Sequence, residues 1–405
     1  MIFLISTGVF SGVILALVII LLFVESRVAR KGESKIVINS DPDNALEVKT
    51  GTNLLSALNA NQIYLPSACG GSGSCGQCRC RVTKGGGDIL PTELPHLTRS
   101  EKKENIRLAC QLKIREDLEI EIPPEIFAIE KYQAKVVSNK SIGTFIKELA
   151  VEPEDGKKIS FSPGQYMQID IPPYRIPYSN FDIAEPFRQT WDRFEMWDIE
   201  AENNESIYRA YSLANPPSEP NPLMFTVRIA PPPPDQPGAP AGIGSSYLFS
   251  LNPGDSLTLS GPFGDFLVKQ TEREMCFIGG GAGMAPIRSQ LRELLVHQKT
   301  RRTASFWYGA RNRQEMLYDE EFKKLDAEFE NFSYHVALSE PLSEDNWEGM
   351  TGFIHQSIEE HFLKTHPDPS EVEYYLCGPP MMLKACLDTL DSYGVEPEMI
   401  AYDEF

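Results

Sequence analysis

Residues Ile2 to Val24 form an apolar run without a single charged side chain, and the first charge is Glu25. As a helix rising about 1.5 Å per residue, the run spans roughly 34 Å, enough to cross a hydrocarbon core of about 30 Å. It predicts one transmembrane helix over 2–24. A cleaved signal peptide is the competing reading and fits poorly: no positive charge precedes the run, the run is too long, and no Ala-x-Ala site follows it. Arg27, Arg30 and Lys31 lie immediately downstream, and the positive-inside rule then places the bulk of the chain in the cytoplasm. Gly8, Gly12 and Ala16 recur every four residues, a stripe on which another membrane helix can pack, although glycine is common in membrane helices for other reasons.

Beyond a linker near Glu33 the pattern changes. Lys35-Ile36-Val37-Ile38 alternates and Leu46-Glu47-Val48 follows, a candidate hairpin; Thr52 then opens a short helical stretch through Leu54 and Leu58. Thr98-x-x-Glu101 reads as a capping box, Leu118–Ile122 as a closing strand, and Pro123-Pro124 as the end of a first module. From Tyr132, short strands with turn residues every ten or so positions predict a small barrel. The last third alternates buried strands with helical stretches, the rhythm of an α/β nucleotide-binding fold. The predicted organisation is multidomain: a single transmembrane helix at 2–24, an α+β module at 35–125, a β-barrel at 131–268 with an insert near 172–206, and a doubly wound α/β domain at 272–405.

Composition narrows the function. Of 405 residues 41% are hydrophobic and 23% charged, a globular balance, and the formal charge is −19. Such acidity excludes the basic stripe that a nucleic-acid partner requires. Eight cysteines are too sparse for a stapled secreted fold, and cytoplasmic placement disfavours disulfides.

Cys69, Cys75 and Cys78 lie in one glycine-rich loop, Cys69-Gly-Gly-Ser-Gly-Ser-Cys75-Gly-Gln-Cys78, and Cys110 follows in Arg107-Leu-Ala-Cys110-Gln; the gaps are five, two and thirty-one residues. Four thiolates, three in one loop and a distant fourth, are the layout of a [2Fe–2S] ferredoxin. The glycines let the loop turn its amides toward an anionic cluster. Zinc competes, but it expects paired short knuckles, and only Cys75-x-x-Cys78 qualifies. The five-residue first gap resembles that of adrenodoxin and putidaredoxin, which implies a β-grasp ferredoxin-like domain. Cys80 alternates in the following strand and reads as a packed thiol, as do Cys276 and Cys386.

In the barrel, Arg209-Ala-Tyr211-Ser212 places three side chains within reach of one flavin nucleotide: Arg209 for phosphate, Tyr211 for the ring, Ser212 near the reactive nitrogen. Gly242-Ile-Gly244-Ser245-Ser246 opens a helix whose amides and hydroxyls suit a pyrophosphate. The next domain begins with a buried strand running into Gly279-Gly280-Gly281-Ala-Gly283-Met-Ala-Pro286. This is a glycine turn for dinucleotide phosphates with proline in the first helical turn, not the usual third glycine.

Together and in order, these motifs resemble the ferredoxin–NADP⁺ reductase superfamily. The resemblance implies FAD on Arg209, Tyr211, Ser212, Gly244, Ser245 and Ser246, and a nicotinamide dinucleotide on Gly280, Gly281, Gly283, Arg311, Cys377 and Gly378. It assigns Cys377 to the nicotinamide beside the flavin, and Phe405 to an aromatic cover over the flavin with the Asp403 carboxylate nearby. Arg311 and Arg313 both suit a 2′-phosphate, so spacing leaves NADH and NADPH open. The six histidines show no metal pattern and read as structural.

From Asn180 to Ser206 the insert holds eight acids, two arginines and five large aromatics, so part of it should pack on the barrel or on a partner. The proline run 231–234 reads as an extended surface segment. With the anchor and this insert, the whole chain resembles the F subunits of the Na⁺-translocating NADH:quinone oxidoreductases. That resemblance implies NADH as donor, FAD, one [2Fe–2S] cluster, integral-membrane partner subunits that carry electrons to quinone and translocate Na⁺, and a bacterial inner membrane with the bulk of the chain on the cytoplasmic side. The reductase of an oxygenase and a membrane-tethered iron–sulfur redox sensor are the competing readings.

Overall fold

The computed structural model describes residues 32–233, 236 and 238–404, with positions 10, 12 and 14–18 near the start. Most of the predicted membrane segment 2–24 therefore lies outside the described residues, as does Phe405; among the described residues no helix is long and apolar enough to cross a membrane. The chain forms two compact units, one ending at Ile129 and the other starting at Glu130.

The first unit is a five-stranded mixed sheet of β1 (Glu33–Ile38), β2 (Asp41–Lys49), β3 (Arg79–Lys84), β4 (Ile106–Leu108) and β5 (Leu118–Glu121), in the order β2-β1-β5-β3-β4. The alternating residues of β1 put Ile36 and Ile38 inside, and β2 returns with Ile36 opposite Leu46. β5, last in sequence, sits in the middle of the sheet, parallel to β1 and antiparallel to β3. The helix Leu54–Ala60 is capped one residue later than expected, by the Asn53 side chain on Ser56 N, and its Leu54 and Leu58 are fully buried. The Thr98/Glu101 capping box is present on the short helix Arg99–Lys103.

The second unit opens with β6 (Glu130–Gly143), β7 (Ile146–Pro153) and β8 (Tyr166–Ile171), then the insert hairpin β9 (Tyr174–Pro177) and β10 (Glu200–Asn203), then β11 (Ile207–Ser212), β12 (Leu223–Arg228) and β13 (Ser256–Phe263). Six of these make an antiparallel sheet, β11-β8-β13-β6-β7-β12. Its two edges meet at a bridge between Leu213 and Phe225, which closes it into a barrel. The insert folds onto this barrel: Tyr178, Phe181, Ile183, Trp191 and Met196 join the same buried core as Leu149, Ile169 and Phe225. Pro231–Pro233 have no regular secondary structure.

The remaining strands are β14 (Met275–Gly280), β15 (Ala304–Ala310), β16 (Phe332–Leu338), β17 (Met350–Thr351), β18 (Glu373–Gly378) and β19 (Ile400–Glu404), in the order β17-β16-β15-β14-β18-β19 with parallel pairing throughout. Alternate residues serve opposite faces. Phe277, Phe306, Tyr308 and Tyr375 pack with the helix Met284–Arg292, while Ile278, Trp307, Tyr374 and Leu376 pack with the helix Pro380–Ser392. Both faces are thus covered, which explains the unbroken apolar runs of these strands. Strand order reverses at β14, so the carboxyl ends of β14, β15 and β18 frame a crevice. The helix Met284–Arg292 also ties this sheet to the barrel: Arg288 Nη1 donates to Ala214 O (2.9 Å), Ser289 Oγ to Asn215 O (2.8 Å), and Arg288 pairs with Glu321.

Candidate functional site

In the cysteine loop, Gly70, Gly71, Gly73 and Gly76 all take positive φ. At Gly76 a Cβ would also fall 2.9 Å from the His96 Cβ, so backbone conformation and space both demand glycine. The turn gathers the four thiols in two pairs. Cys69 and Cys75 sulfurs are 3.3 Å apart, and the Cys110 amide donates to Cys78 Sγ at 3.5 Å. Within each pair one thiol is held low and its neighbour pushed up: Cys69 falls to about 2 through the hydrogen bond from Cys75, and Cys110 to about 7 through that from Cys78. Amides of Ser74 and Cys75 also bear on Cys69, and Gln111 Nε2 donates to Cys110 Sγ at 3.5 Å. Two thiols per metal, rather than four around one, is the donor set of a two-iron cluster, and the residues fit it. Cys80 is buried in β3 with its sulfur on Arg107 O, as a packed thiol should be.

The segment that carries Cys110 is fixed by a pair that the sequence does not announce. Glu93 is wholly buried and Arg107 nearly so, joined at 2.7 Å; Glu93 also accepts the amides of Leu90 and Leu108, while Arg107 Nη1 reaches the carbonyls of Gly86 and Gly87.

In the barrel, β11 and the helix Ile243–Ser250 bring the expected flavin residues together. A Cβ on Gly244 would lie 2.8 Å from both Arg209 Cγ and Tyr211 Oη, so helix and strand approach each other only because this residue is glycine. Burial pushes the Tyr211 phenol well above its ordinary value, so it stays neutral. Ser212 Oγ is buried and has no hydrogen-bond partner, an orphaned polar atom of the kind a bound ring nitrogen would satisfy. The other two serines are already engaged: Ser245 Oγ accepts from Ala230 N (3.2 Å), and Ser246 Oγ shares a hydrogen bond with Tyr178 of the insert (2.9 Å). The first-turn amides of this helix have no intrahelical acceptor and remain for an anion.

At the carboxyl edge of the parallel sheet a cavity of about 440 Å³ is lined by Gly280, Gly281 and Arg311, as anticipated, and also by Phe145, Arg228 and Glu315. Gly283 packs hard on the end of β18, where a Cβ would lie 2.1 Å from Cys377 O and 2.7 Å from Gly378 N. Cys377 is fully buried opposite Asp403 of β19; burial first, and then the Asp403 charge, hold its thiol far above the ordinary range. Arg313 is diverted from the cavity, its Nη1 donating to Asp345 O at 3.0 Å, which leaves Arg311 and Arg228 as the cavity's cations. His355, structural by its spacing alone, is on the cavity wall and stacks on Phe353. Of these unanticipated residues only Arg228 left a trace in sequence: it alternates with the barrel-core residues Leu223, Phe225 and Val227 along β12. Phe145 lies at a hairpin tip with no motif around it.

These are the parts of a ferredoxin-fused, flavin- and nicotinamide-dependent reductase. Residues 38–115 match the 2Fe-2S iron-sulfur cluster binding domain, 195–267 the oxidoreductase FAD-binding domain and 277–388 the oxidoreductase NAD-binding domain. Among solved structures, an Amycolatopsis cytochrome P450 reductase shares the fold with TM-score 0.63 at 21% identity, covering 92% of this chain and 98% of that one. The ferredoxin reductase in carbazole 1,9a-dioxygenase does so with TM-score 0.60 at 24% identity, covering 93% and 99%. The chain is 50% identical over 400 residues to the F subunit of the Na(+)-translocating NADH-quinone reductase of Pseudoalteromonas atlantica, covering 99% of this chain and 98% of the relative. The same name, identity and coverage hold for the protein of Idiomarina loihiensis. The chain belongs to the family of these F subunits. It is an oxidoreductase that takes electrons from NADH and uses FAD and one [2Fe–2S] cluster.

Proposed function

We propose that this chain is the electron-input component of a bacterial inner-membrane complex, anchored by the helix predicted at 2–24 with its body on the cytoplasmic side. Integral-membrane partner subunits would receive its electrons, pass them to quinone and translocate Na⁺, in line with the names of its relatives. The division of labour follows the proposed boundaries 35–125, 131–268 and 272–405. When bound, FAD would supply acceptance of one hydride, an electron pair, and its release as single electrons, and the iron–sulfur centre would carry one electron at a time.

The chain's own residues do the rest. Cys69 with Cys75, and Cys78 with Cys110, would hold the two irons, while Gln111 and the loop amides offset the charge on sulfur. Arg209 and the first-turn amides of Ile243–Ser250 would meet the FAD pyrophosphate, Tyr211 would pack on the ring, and Ser212 would donate to it. Gly280, Gly281 and Gly283 let the dinucleotide approach the backbone, with Arg311 on its phosphates and neutral Cys377 beside the nicotinamide. Burial, with the Asp403 charge adding to it, keeps that thiol protonated, and Phe405 is assigned to covering the ring. The observation that carries the reading is the separation of the thiols into two pairs, a donor set suited to single-electron transfer on a chain that also binds a two-electron donor. The test is Cys75→Ala: quinone-directed electron flow from NADH should vanish while reduction of a soluble two-electron dye persists. Loss of dye reduction with FAD still bound would overturn the order of transfer.

A further inference from the structure

The insert between β8 and β11 packs on the β6–β7 hairpin, and that hairpin contributes Phe145 to the cavity wall. The insert's Trp191 is fully buried and donates Nε1–H to the carbonyl of Thr144 at 2.6 Å, and its Ala184 amide donates to Ser141 Oγ at 3.2 Å. Both contacts fall on the β6–β7 hairpin, whose tip is Phe145. The rings of Trp191 and Phe194 lie 6.1 and 6.0 Å from the Phe145 ring, on the insert side. The Phe145 ring also meets the Arg311 guanidinium, 5.7 Å from its centroid, and both residues line the cavity. Arg311 is otherwise held only loosely, by Glu315 at 3.8 Å, and it shares the cavity with a second cation, Arg228. A half-exposed guanidinium repelled by a neighbour needs a fixed surface to keep one orientation, and an aromatic face supplies it.

We propose that the insert is a positioning element for the dinucleotide cavity: Trp191 and Phe194 fix Phe145, and Phe145 holds Arg311 in place for the phosphates of the nicotinamide dinucleotide. This rests on the reading of the cavity as the NADH site. Phe194 is about half exposed and packs on the barrel only lightly, so its loss removes the buttress without opening the core.

The experiment uses the full-length chain with FAD and cluster bound. It measures the NADH KM and maximal rate of dye reduction, and the Kd of ADP-ribose by calorimetry, for Phe194→Ala, Trp191→Phe, Arg311→Gln and Phe194→Ala combined with Arg311→Gln. Phe194→Ala and Trp191→Phe should raise the KM and the ADP-ribose Kd three- to tenfold, with the maximal rate within twofold and FAD content unchanged. Phe194→Tyr should restore both constants. In the Arg311→Gln background, Phe194→Ala should add nothing. If Arg311→Gln weakens ADP-ribose but the insert variants do not, or if Phe194→Ala acts equally in both backgrounds, the positioning role is overturned and the cavity reading stands. If Arg311→Gln leaves ADP-ribose affinity unchanged, the cavity reading itself fails.

Discussion

Glu93→Gln is the substitution whose consequence the structure fixes most tightly. Gln has nearly the same shape and can still accept one amide, so the change removes charge rather than packing. Arg107, 3% exposed, is left as an uncompensated buried cation. Removing one partner of such a pair costs about 3–5 kcal/mol. The damage should be local, because Glu93 Oε1 accepts the amide of Leu108, Ala109 N bonds Cys78 O, and Cys110 follows. Hydrogen–deuterium exchange of the intact chain, read on the segment 104–112, should speed up by roughly 10²- to 4 × 10³-fold at pH 7, each 1.4 kcal/mol being about tenfold. Replacing both partners by apolar residues, often harmless elsewhere, should not rescue the segment, because Leu108 N is buried and would lose the Glu93 Oε1 acceptor. The pH dependence has a definite sign. Burial raises the Glu93 carboxyl, but Arg107 and the Leu90 and Leu108 amides outweigh it, and the net value lies below its ordinary 4.5. Its contribution is therefore complete above about 4.5 and fades only as pH falls through the lower folded value. Wild-type protection, corrected for intrinsic exchange, should be flat from pH 7 to pH 5. Protection unchanged within tenfold in Glu93→Gln would refute the claim that this pair holds the segment carrying Cys110.

Two further outcomes concern the second unit. Lys147 is buried with its ammonium on Phe249 O (3.0 Å), and burial lowers it to about 8 from an ordinary 10.5. Between those values the unfolded chain holds the proton and the folded chain does not, so stability rises with pH there. Measured by urea unfolding, wild type should gain on the order of 3 kcal/mol relative to Lys147→Met between pH 7.5 and 10.5, and an unchanged difference would refute the titration. Gly283→Ala keeps an allowed backbone, φ −59°, but drives a methyl into Cys377 O. It should destabilise by about 1–3 kcal/mol and weaken ADP-ribose binding, and a variant that unfolds and binds like wild type would contradict the packing at the end of β18.

What was legible in the sequence was chemistry held in short segments. The Cys69–Cys78 loop, the Thr98/Glu101 box, the Arg209–Ser212 strand and the glycine turn before Pro286 each act within about ten residues of chain, so the order of residues already states their geometry. The apolar rhythm likewise separated a barrel from a doubly wound sheet, because burial on one face or on two leaves different periods.

The rest depended on partners far away in the chain. β5 ends its module in sequence yet lies at the centre of its sheet, because its pairing with β1 spans some eighty residues. The acidic insert looked equally suited to the barrel or to a foreign partner, and Trp191 donating to Thr144 O settled which surface its core residues bury against. Arg311 and Arg313 were interchangeable by spacing until the Asp345 carbonyl took one of them. Composition and local order determined which cofactors the chain is built for. Only the tertiary structure decided which side chains wall the cavity, because burial and hydrogen bonding choose partners by position in space, and the loops that carry those partners record no period of their own.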